Sequence, residues 1–383
     1  MNSGLSSAAR LADAGRVVIK IGSSLLIDKE SGQLNTGWLE SLAGEIQALH
    51  ARGQQVLLVS SGAIALGRAY LEMGPQQRKL REHQAAAAAG QVLLAHAYRE
   101  LLGAHGIKVA QVLLTLEDTE DRRRYLNARN TLETLLGLGV VPVINENDTV
   151  ATEEIRYGDN DRLGARVAEM VSADCLVLLS DVAGLYDKDP NASSDARLIA
   201  EVRDITPDIE AMAGSARTAY GSGGMATKVA AARICMSAGC ATVVADGHHD
   251  KPLARIADGA PCTWFLPSST PLAARKQWIA GTLEPHGELH IDAGAERALQ
   301  EGSSLLPVGV VEVSGSFARG DAVEVVLNGK AIARGLTQYN STEATTLVGA
   351  HSADIEARLG YQRRKEIIHR DDLVLLEQND NNE

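Results

Sequence analysis

The chain has 383 residues, enough for two or three domains at about 150 residues each, and 45% hydrophobic residues supply ample material for a core. Lys and Arg number 37 against 49 Asp and Glu, a net charge of −12, which argues against broad nucleic-acid binding because that depends on neutralising phosphates. No CxxC pair, no secretory-type apolar segment from Met1 to Arg16 and no run near the ~20 apolar residues of a membrane span predict a soluble, cytoplasmic protein with reduced thiols.

The first predicted strand, 17–21, carries Lys20 near its end and runs into Gly22-Ser23-Ser24. An unpaired buried ammonium is costly. Lys20 therefore reads either as the partner of a nearby carboxylate or as a phosphate ligand, with the N–H groups of 22–24 as an anion cradle. A helix over 36–51 leads to a second strand, 55–59, which empties into Ser60-Ser61-Gly62. That turn either caps a helix or holds an anion on its N–H groups and hydroxyls. It is not a Gly-x-Ser-x-Gly elbow, so Ser61 reads as a binder and not a nucleophile.

The Ala/Leu-rich segment 84–105 is predicted helical and largely buried, with His96 and His105 as packing or surface residues. No His/Cys cluster has metal-ligand spacing. A third strand over 108–114 precedes Arg122-Arg123-Arg124, read as a solvated face. A short helix over 131–136 then feeds the apolar run Val140-Val141-Pro142-Val143.

The stretch from Ile144 to Ala165 holds Asn145, Asn147 and Asp148, then Asn160 and Asp161, with Gly158 between the two clusters. A turn and a helix cap would account for it. A loop at the carboxyl end of a buried strand, however, is where open α/β sheets place ligands. Amides and carboxylates together suit a small zwitterion.

A helix over 162–171 leads to a fifth strand, 175–179, opening into Ser180-Asp181. Further on, Gly221-Ser222-Gly223-Gly224-Met225-Ala226-Thr227-Lys228 introduces a helix to 238 and a strand over 241–245. It is not a P-loop, because Ala226 and Thr227 precede the lysine. It loosely matches a dinucleotide fingerprint, Gly221-x-Gly223-x-x-Ala226 with Asp246 downstream, which makes an NAD(P) enzyme the rival reading. That fingerprint needs a strand before its first glycine, and 212–220 does not read as one. The other reading is a glycine loop around a nucleotide polyphosphate, with Lys228 as a point charge. The regular alternation of strands and helices predicts an α/β fold, an open and mainly parallel sheet covered by helices on both faces.

Taken together, the chain resembles the amino acid kinase family. The resemblance rests on Lys20-Ile-Gly-Ser-Ser, Ser60-Ser61-Gly62-Ala-Ile-Ala, Asn145-Glu-Asn-Asp148, Gly158-Asp-Asn160-Asp161, Asp181 to Tyr186 and Ser222-Gly-Gly-Met-Ala-Thr-Lys228, in family order. It implies transfer of a phosphoryl group from ATP, used with Mg²⁺, to the side-chain carboxylate of L-glutamate, the first step of proline biosynthesis. By position, Lys20 and Lys228 would stabilise the transferring phosphoryl group and Asp161 would hold both lysines. Ser61, Asn145, Asp148 and Asn160 would bind glutamate. Lys20, Ser180, Asp181 and the run Ser222, Gly223, Gly224, Met225, Ala226, Thr227 and Lys228 would bind ATP. Ser60 and Ser180 stand where relatives often carry Thr, so the hydroxyls remain. The resemblance also implies inhibition by proline, a homo-oligomer, and hand-over of the labile acyl phosphate to a reductase.

From about His286 the pattern changes to short apolar runs, 308–313 and 322–327, broken by Gly, Ser and Asn. With Gly302 to Val310, Phe317 to Asp321, Gly335 to Ser341 and His351 to Tyr361, this part resembles a PUA domain, a module also found in RNA-modifying enzymes. Nine basic against sixteen acidic side chains from His286 onward leave it at −7, without the electrostatic footprint of an RNA binder. The expected organisation is a catalytic domain over 1–280, a linker over 281–287, a PUA-like domain over 288–372 and a disordered tail over 373–383.

Overall fold

The computed structural model describes the chain apart from residues 1–5, 29–30, 75–78, 151–159, 191, 215–223, 282–283, 362–363 and 377–383. The chain divides into two compact units, Met1–Pro271 and Leu272–Glu383, so the division falls ahead of the expected boundary at 280.

The first unit is built on one sheet. Its strands are β1 (Arg16–Ile21), β2 (Gln55–Ser60), β3 (Lys108–Leu114), β4 (Val140–Glu146), β5 (Cys175–Ser180), β6 (Glu201–Val202), β7 (Ala241–Asp246) and β8 (Cys262–Phe265). Their order across the sheet is β3-β4-β2-β1-β5-β7-β8-β6. Every pairing is parallel except β7 with β8. Short β6 and antiparallel β8 are strands that the apolar pattern did not single out.

Strand periodicity decides which side chain faces which helix layer. Val17, Ile19 and Ile21 of β1, with Val56 and Leu58 of β2 and Val143 of β4, enter one core together with Leu94, Tyr98 and Leu102 of the helix Leu80–Ala104. Val18, Leu57, Val59, Ile144, Leu176 and Leu178 enter the other. That second core includes Leu163 and Val167 of the helix Asn160–Met170, and Val229 and Ala232 of the helix Met225–Ser237. Lys20 shares the parity of Val18 and so lies on the side of those two helices. Ser60 and Asn145 share the parity of Leu58 and Val143 and so lie on the side of the helix Leu80–Ala104.

Two glycine features shape the latter side. Gly62 takes φ +98° where β2 turns into the helix Ala63–Tyr70, a conformation that favours glycine. Gly67 and Gly90 let the helices Ala63–Tyr70 and Leu80–Ala104 touch backbone to backbone. A Cβ on Gly67 would lie 1.7 Å from the Ala86 carbonyl oxygen, and one on Gly90 would lie 1.8 Å from that of Ala63.

Several boundaries differ from the sequence reading. β4 continues through Glu146, so Asn145 is a buried strand residue and not part of a loop. The helix expected over 131–136 spans Arg122–Gly137, because the Asp121 carboxylate accepts the Arg124 N–H and caps it. Arg122-Arg123-Arg124 is thus its first turn. All four cysteines are buried free thiols, as expected.

The second unit has a five-stranded sheet of β9 (Gly287–Ile291), β10 (Val310–Gly315), β11 (Ala322–Leu327), β12 (Lys330–Leu336) and β13 (Leu373–Leu375), ordered β10-β9-β11-β12-β13. β13 lies in the stretch assigned to a disordered tail. It pairs antiparallel with β12, and Leu373 joins the core, so 373–375 belongs to the sheet; 377–383 lies outside the described residues. The helix Pro271–Gly281, expected to close the catalytic domain, packs on this sheet: Ile279 meets Ala322 and Leu336. Its Arg275 guanidinium donates to the buried Asp372 carboxylate at 2.6 and 2.9 Å, and Arg334 donates to the Ala280 carbonyl at 2.9 Å. These contacts move the start of the second unit upstream of the expected linker at 281–287. No described helix of either unit is long and apolar enough to cross a membrane.

Candidate active site

The polar residues singled out in the sequence converge at the carboxyl ends of β1, β2 and β4, where open parallel sheets place ligands. The anchor is Asp161, in the first turn of the helix Asn160–Met170 and only 1% exposed. Its Oδ1 lies 2.6 Å from Lys20 Nζ and its Oδ2 lies 3.2 Å from Lys228 Nζ. Thr227 Oγ1 donates to Oδ2 at 2.8 Å. Both lysines are buried, at 7% and 3% exposure, which an ammonium tolerates only with such a partner. Burial pushes the Asp161 carboxyl up, but the charges of Lys20 and Lys228 and hydrogen bonds from Lys20 and Thr227 outweigh it and hold it at about 2. One carboxylate thus fixes two ammonium groups from different elements.

The N–H ends of two helical turns lie beside this cluster in the chain. Gly22 precedes the helix Ser23–Leu26, and Gly224 precedes the helix Met225–Ser237 with Met225, Ala226 and Thr227 in its first turn. Leading N–H groups of a helix have no intrahelical acceptor, and they suit an anion. Ser222 and Gly223, like Gly158, lie outside the described residues.

The neighbouring half is neutral. Asn160 Nδ2 lies 2.8 Å from the Ser60 carbonyl oxygen, 2.7 Å from Ser61 Oγ and 3.0 Å from Asn145 Oδ1. Asn145 Oδ1 also accepts the Glu146 backbone N–H at 2.9 Å, and Asn145 Nδ2 donates to Gln91 Oε1 at 2.9 Å. Ser60 Oγ and the buried Tyr98 hydroxyl are 2.9 Å apart. Asn160 Oδ1 is buried and finds no donor among the described residues.

Two predicted groups stand apart from these contacts. Asp148 sits half-buried three residues beyond Asn145, and burial raises its carboxyl to about 6. Ser180 ends β5 with its hydroxyl donating to Asp181 at 3.0 Å, and Asp181 is exposed. The sequence reading missed Gln91, Tyr98 and the Ser60 carbonyl. A signal for the first two existed: Ala87, Gln91, Leu94, Tyr98 and Leu102 form one buried helical stripe, in which the Gln91 amide and the Tyr98 hydroxyl are the polar groups.

The amino acid kinase family model matches residues 15–246, and the PUA domain model matches 287–359. A glutamate 5-kinase of Paramagnetospirillum magneticum is 60% identical over 366 residues, covering 95% of this chain and 99% of that protein. One from Rhodospirillum rubrum is 60% identical over 359 residues, covering 94% and 96%. Glutamate 5-kinase 1 of Rhizobium meliloti is 57% identical over 361 residues, covering 94% and 92%. With the lysine–aspartate–lysine cluster inside the matched region and these relatives aligned almost end to end, the chain belongs to the amino acid kinase family, in the branch of the glutamate 5-kinases.

Proposed function

We propose that the protein transfers the γ-phosphoryl group of ATP to the side-chain carboxylate of L-glutamate, giving L-glutamyl 5-phosphate and ADP, the first step of proline biosynthesis. The observation that carries this reading is Asp161 bridging Lys20 and Lys228 directly beside the buried Asn145–Asn160 amide pair. A carboxylate oxygen attacks phosphorus, and the bond to the β-phosphate oxygen breaks with its electron pair leaving on ADP. The attacking carboxyl ionises near ~4.3, so no proton has to be removed at neutral pH. Phosphoryl transfer then depends on positioning and on charge stabilisation. Lys20 and Lys228 stabilise charge on the transferring group, and Asp161 keeps them in place. The helix start at Gly224–Lys228, with Ser222, Gly223, Ser180 and Asp181, takes the nucleotide.

Ser61, Asn145, Asn160 and Asp148 hold the amino acid. The unpartnered Asn160 Oδ1 and the carboxyl of Asp148 favour a substrate with a free α-ammonium group over an N-acylated one. Mg²⁺ accompanies the nucleotide in this reading. Among the described residues no three His, Cys, Asp or Glu form a metal-holding group, and both Asp161 oxygens face ammonium groups. The described residues therefore form no resident metal cage, and magnesium would be held mainly by phosphates and water. The acyl phosphate product is a reactive anhydride, which supports hand-over to a reductase. Exposed Tyr70, Leu71 and Val92 support a homo-oligomer, and proline is the end product expected to inhibit.

Hydroxylamine converts an acyl phosphate to a coloured hydroxamate, so the test incubates protein, Mg²⁺-ATP and hydroxylamine with L-glutamate, L-aspartate or N-acetyl-L-glutamate. Product from glutamate alone is expected. Product from another acid instead would move the specificity, and no product from any would refute the kinase reading.

A further inference from the structure

We infer that Gln91 is a positioning residue of the amino-acid site: its amide oxygen fixes the Asn145 carboxamide, and through it the Asn160 carboxamide, so that Asn160 Oδ1 is offered as an acceptor. The inference rests on the glutamate kinase reading above.

Two backbone groups set the direction of the chain. The Glu146 N–H can only donate, so the Asn145 atom it meets at 2.9 Å is the carbonyl oxygen. The Ser60 carbonyl can only accept, so the Asn160 atom it meets at 2.8 Å is the amide nitrogen. Asn160 Nδ2 then has Asn145 Oδ1 as its second acceptor at 3.0 Å. Asn145 is left with its own Nδ2 to satisfy in a 3%-exposed position, and the acceptor supplied is Gln91 Oε1 at 2.9 Å.

Without that acceptor the Asn145 amide has no good orientation. As it stands, Nδ2 would be a buried donor with no partner, which is costly. Flipped, Nδ2 would face the Glu146 N–H and Asn160 Nδ2, donor against donor. Either way Asn160 loses its fixed neighbour, and its Oδ1 is no longer held toward a ligand.

The position of Gln91 is itself constrained. Gly90 is locked against the Ala63 carbonyl by the backbone contact between helices, so the helix cannot slide to compensate. Gln91 is also the polar member of the buried stripe Ala87, Gln91, Leu94, Tyr98 and Leu102. An apolar residue there would fill space without burying an amide, so the carboxamide has to be explained by the group it meets. Gln91 touches Asn145 and no reacting atom in this arrangement, hence positioning and not catalysis.

The test compares the full-length wild type with Gln91→Met, of similar volume but without an acceptor oxygen, and Gln91→Glu, which keeps one. Gln91→Met should raise KM for glutamate about tenfold, with kcat within about threefold and KM for ATP unchanged. Gln91→Glu should restore KM for glutamate to within about threefold of wild type, and this arm decides the matter if Gln91→Met does not fold. A KM for glutamate within twofold of wild type in Gln91→Met would overturn the inference. So would parallel changes in kcat and both KM values, or a Gln91→Glu defect of about tenfold. If the wild type itself makes no hydroxamate from glutamate, the functional reading falls and takes this inference with it. Wild-type turnover with an unaltered Gln91→Met KM removes the inference alone.

Discussion

In one half of the site Asp161 meets two lysines and a threonine hydroxyl, while in the adjoining half Asn145 and Asn160 meet only amides, carbonyls and hydroxyls. The charged half is closed on itself, since each Asp161 oxygen has an ammonium partner. The neutral half is open: among the described residues Asn160 Oδ1 is unpartnered, and burial alone raises the half-buried Asp148 carboxyl. Under the proposed function the difference matches two ligand halves. A polyanion needs cations that are already placed and neutralised until it arrives. A zwitterion needs oriented dipoles and a carboxylate that gains its counter-charge only on binding. Strand parity produces the separation, because Lys20 and Asn145 point to opposite faces of one sheet.

The strongest way to break the charged half is Asp161→Asn, which leaves two buried ammonium groups without their carboxylate. Removing one partner of a buried ion pair costs about 3–5 kcal/mol, so urea unfolding should show a loss of that size, with kcat down by at least ~10²-fold. Unchanged stability would mean that the lysines do not depend on Asp161. The neutral half should respond differently. Asn145→Ala removes an uncharged network member, and about 1–3 kcal/mol of lost hydrogen bonding predicts KM for glutamate higher by roughly 10- to 100-fold, with a smaller change in kcat in steady-state assays.

The smallest expected effect separates the two halves by pH. Asp161, depressed to about 2, adds stability above its unfolded value of ~3.9, and this is lost only as pH falls towards 2. It does not titrate between pH 6 and 9. Asp148, raised to about 6, has the opposite sign: its contribution to stability is present below ~3.9 and is lost as pH rises through 6. A bound ammonium group would stabilise the ionised carboxylate and displace its proton. KM for glutamate should therefore rise several-fold as pH is lowered from 7.5 to 5.5, and Asp148→Asn should flatten that profile. A profile unchanged by Asp148→Asn would detach Asp148 from the ammonium site.

Part of the charged half was legible from the sequence, because a lysine at the end of a buried strand demands a partner; an aspartate opening a helix reads as an ordinary cap, and its pairing with both lysines was implied only by the family resemblance. The strands carrying them are continuous Val/Ile/Leu runs, so the parallel sheet was legible as well. The neutral half was less visible. Asn145 looked like loop polarity because β4 continues past its last aliphatic residue, where side-chain amides replace apolar packing. Gln91 lay hidden in an Ala-rich helix, and its role depends on a sheet register that helix periodicity cannot reveal. In the C-terminal unit, β13 was missed because a three-residue strand gains its stability from pairing with β12 and carries too few residues for a pattern. The helix Pro271–Gly281 was misassigned because its partners Asp372, Ala322 and Leu336 are distant in the chain.

In the proposed reaction Lys20 and Lys228 carry the chemistry while the amide half carries the amino acid. The most direct measurement is steady-state kinetics of Lys20→Ala and Lys228→Ala, each confirmed folded by its melting curve. In each, kcat should fall by about 10²–10³-fold, with KM for glutamate within a few-fold of wild type. Near-normal kcat in both variants, or a loss confined to KM for glutamate, would contradict that division of roles.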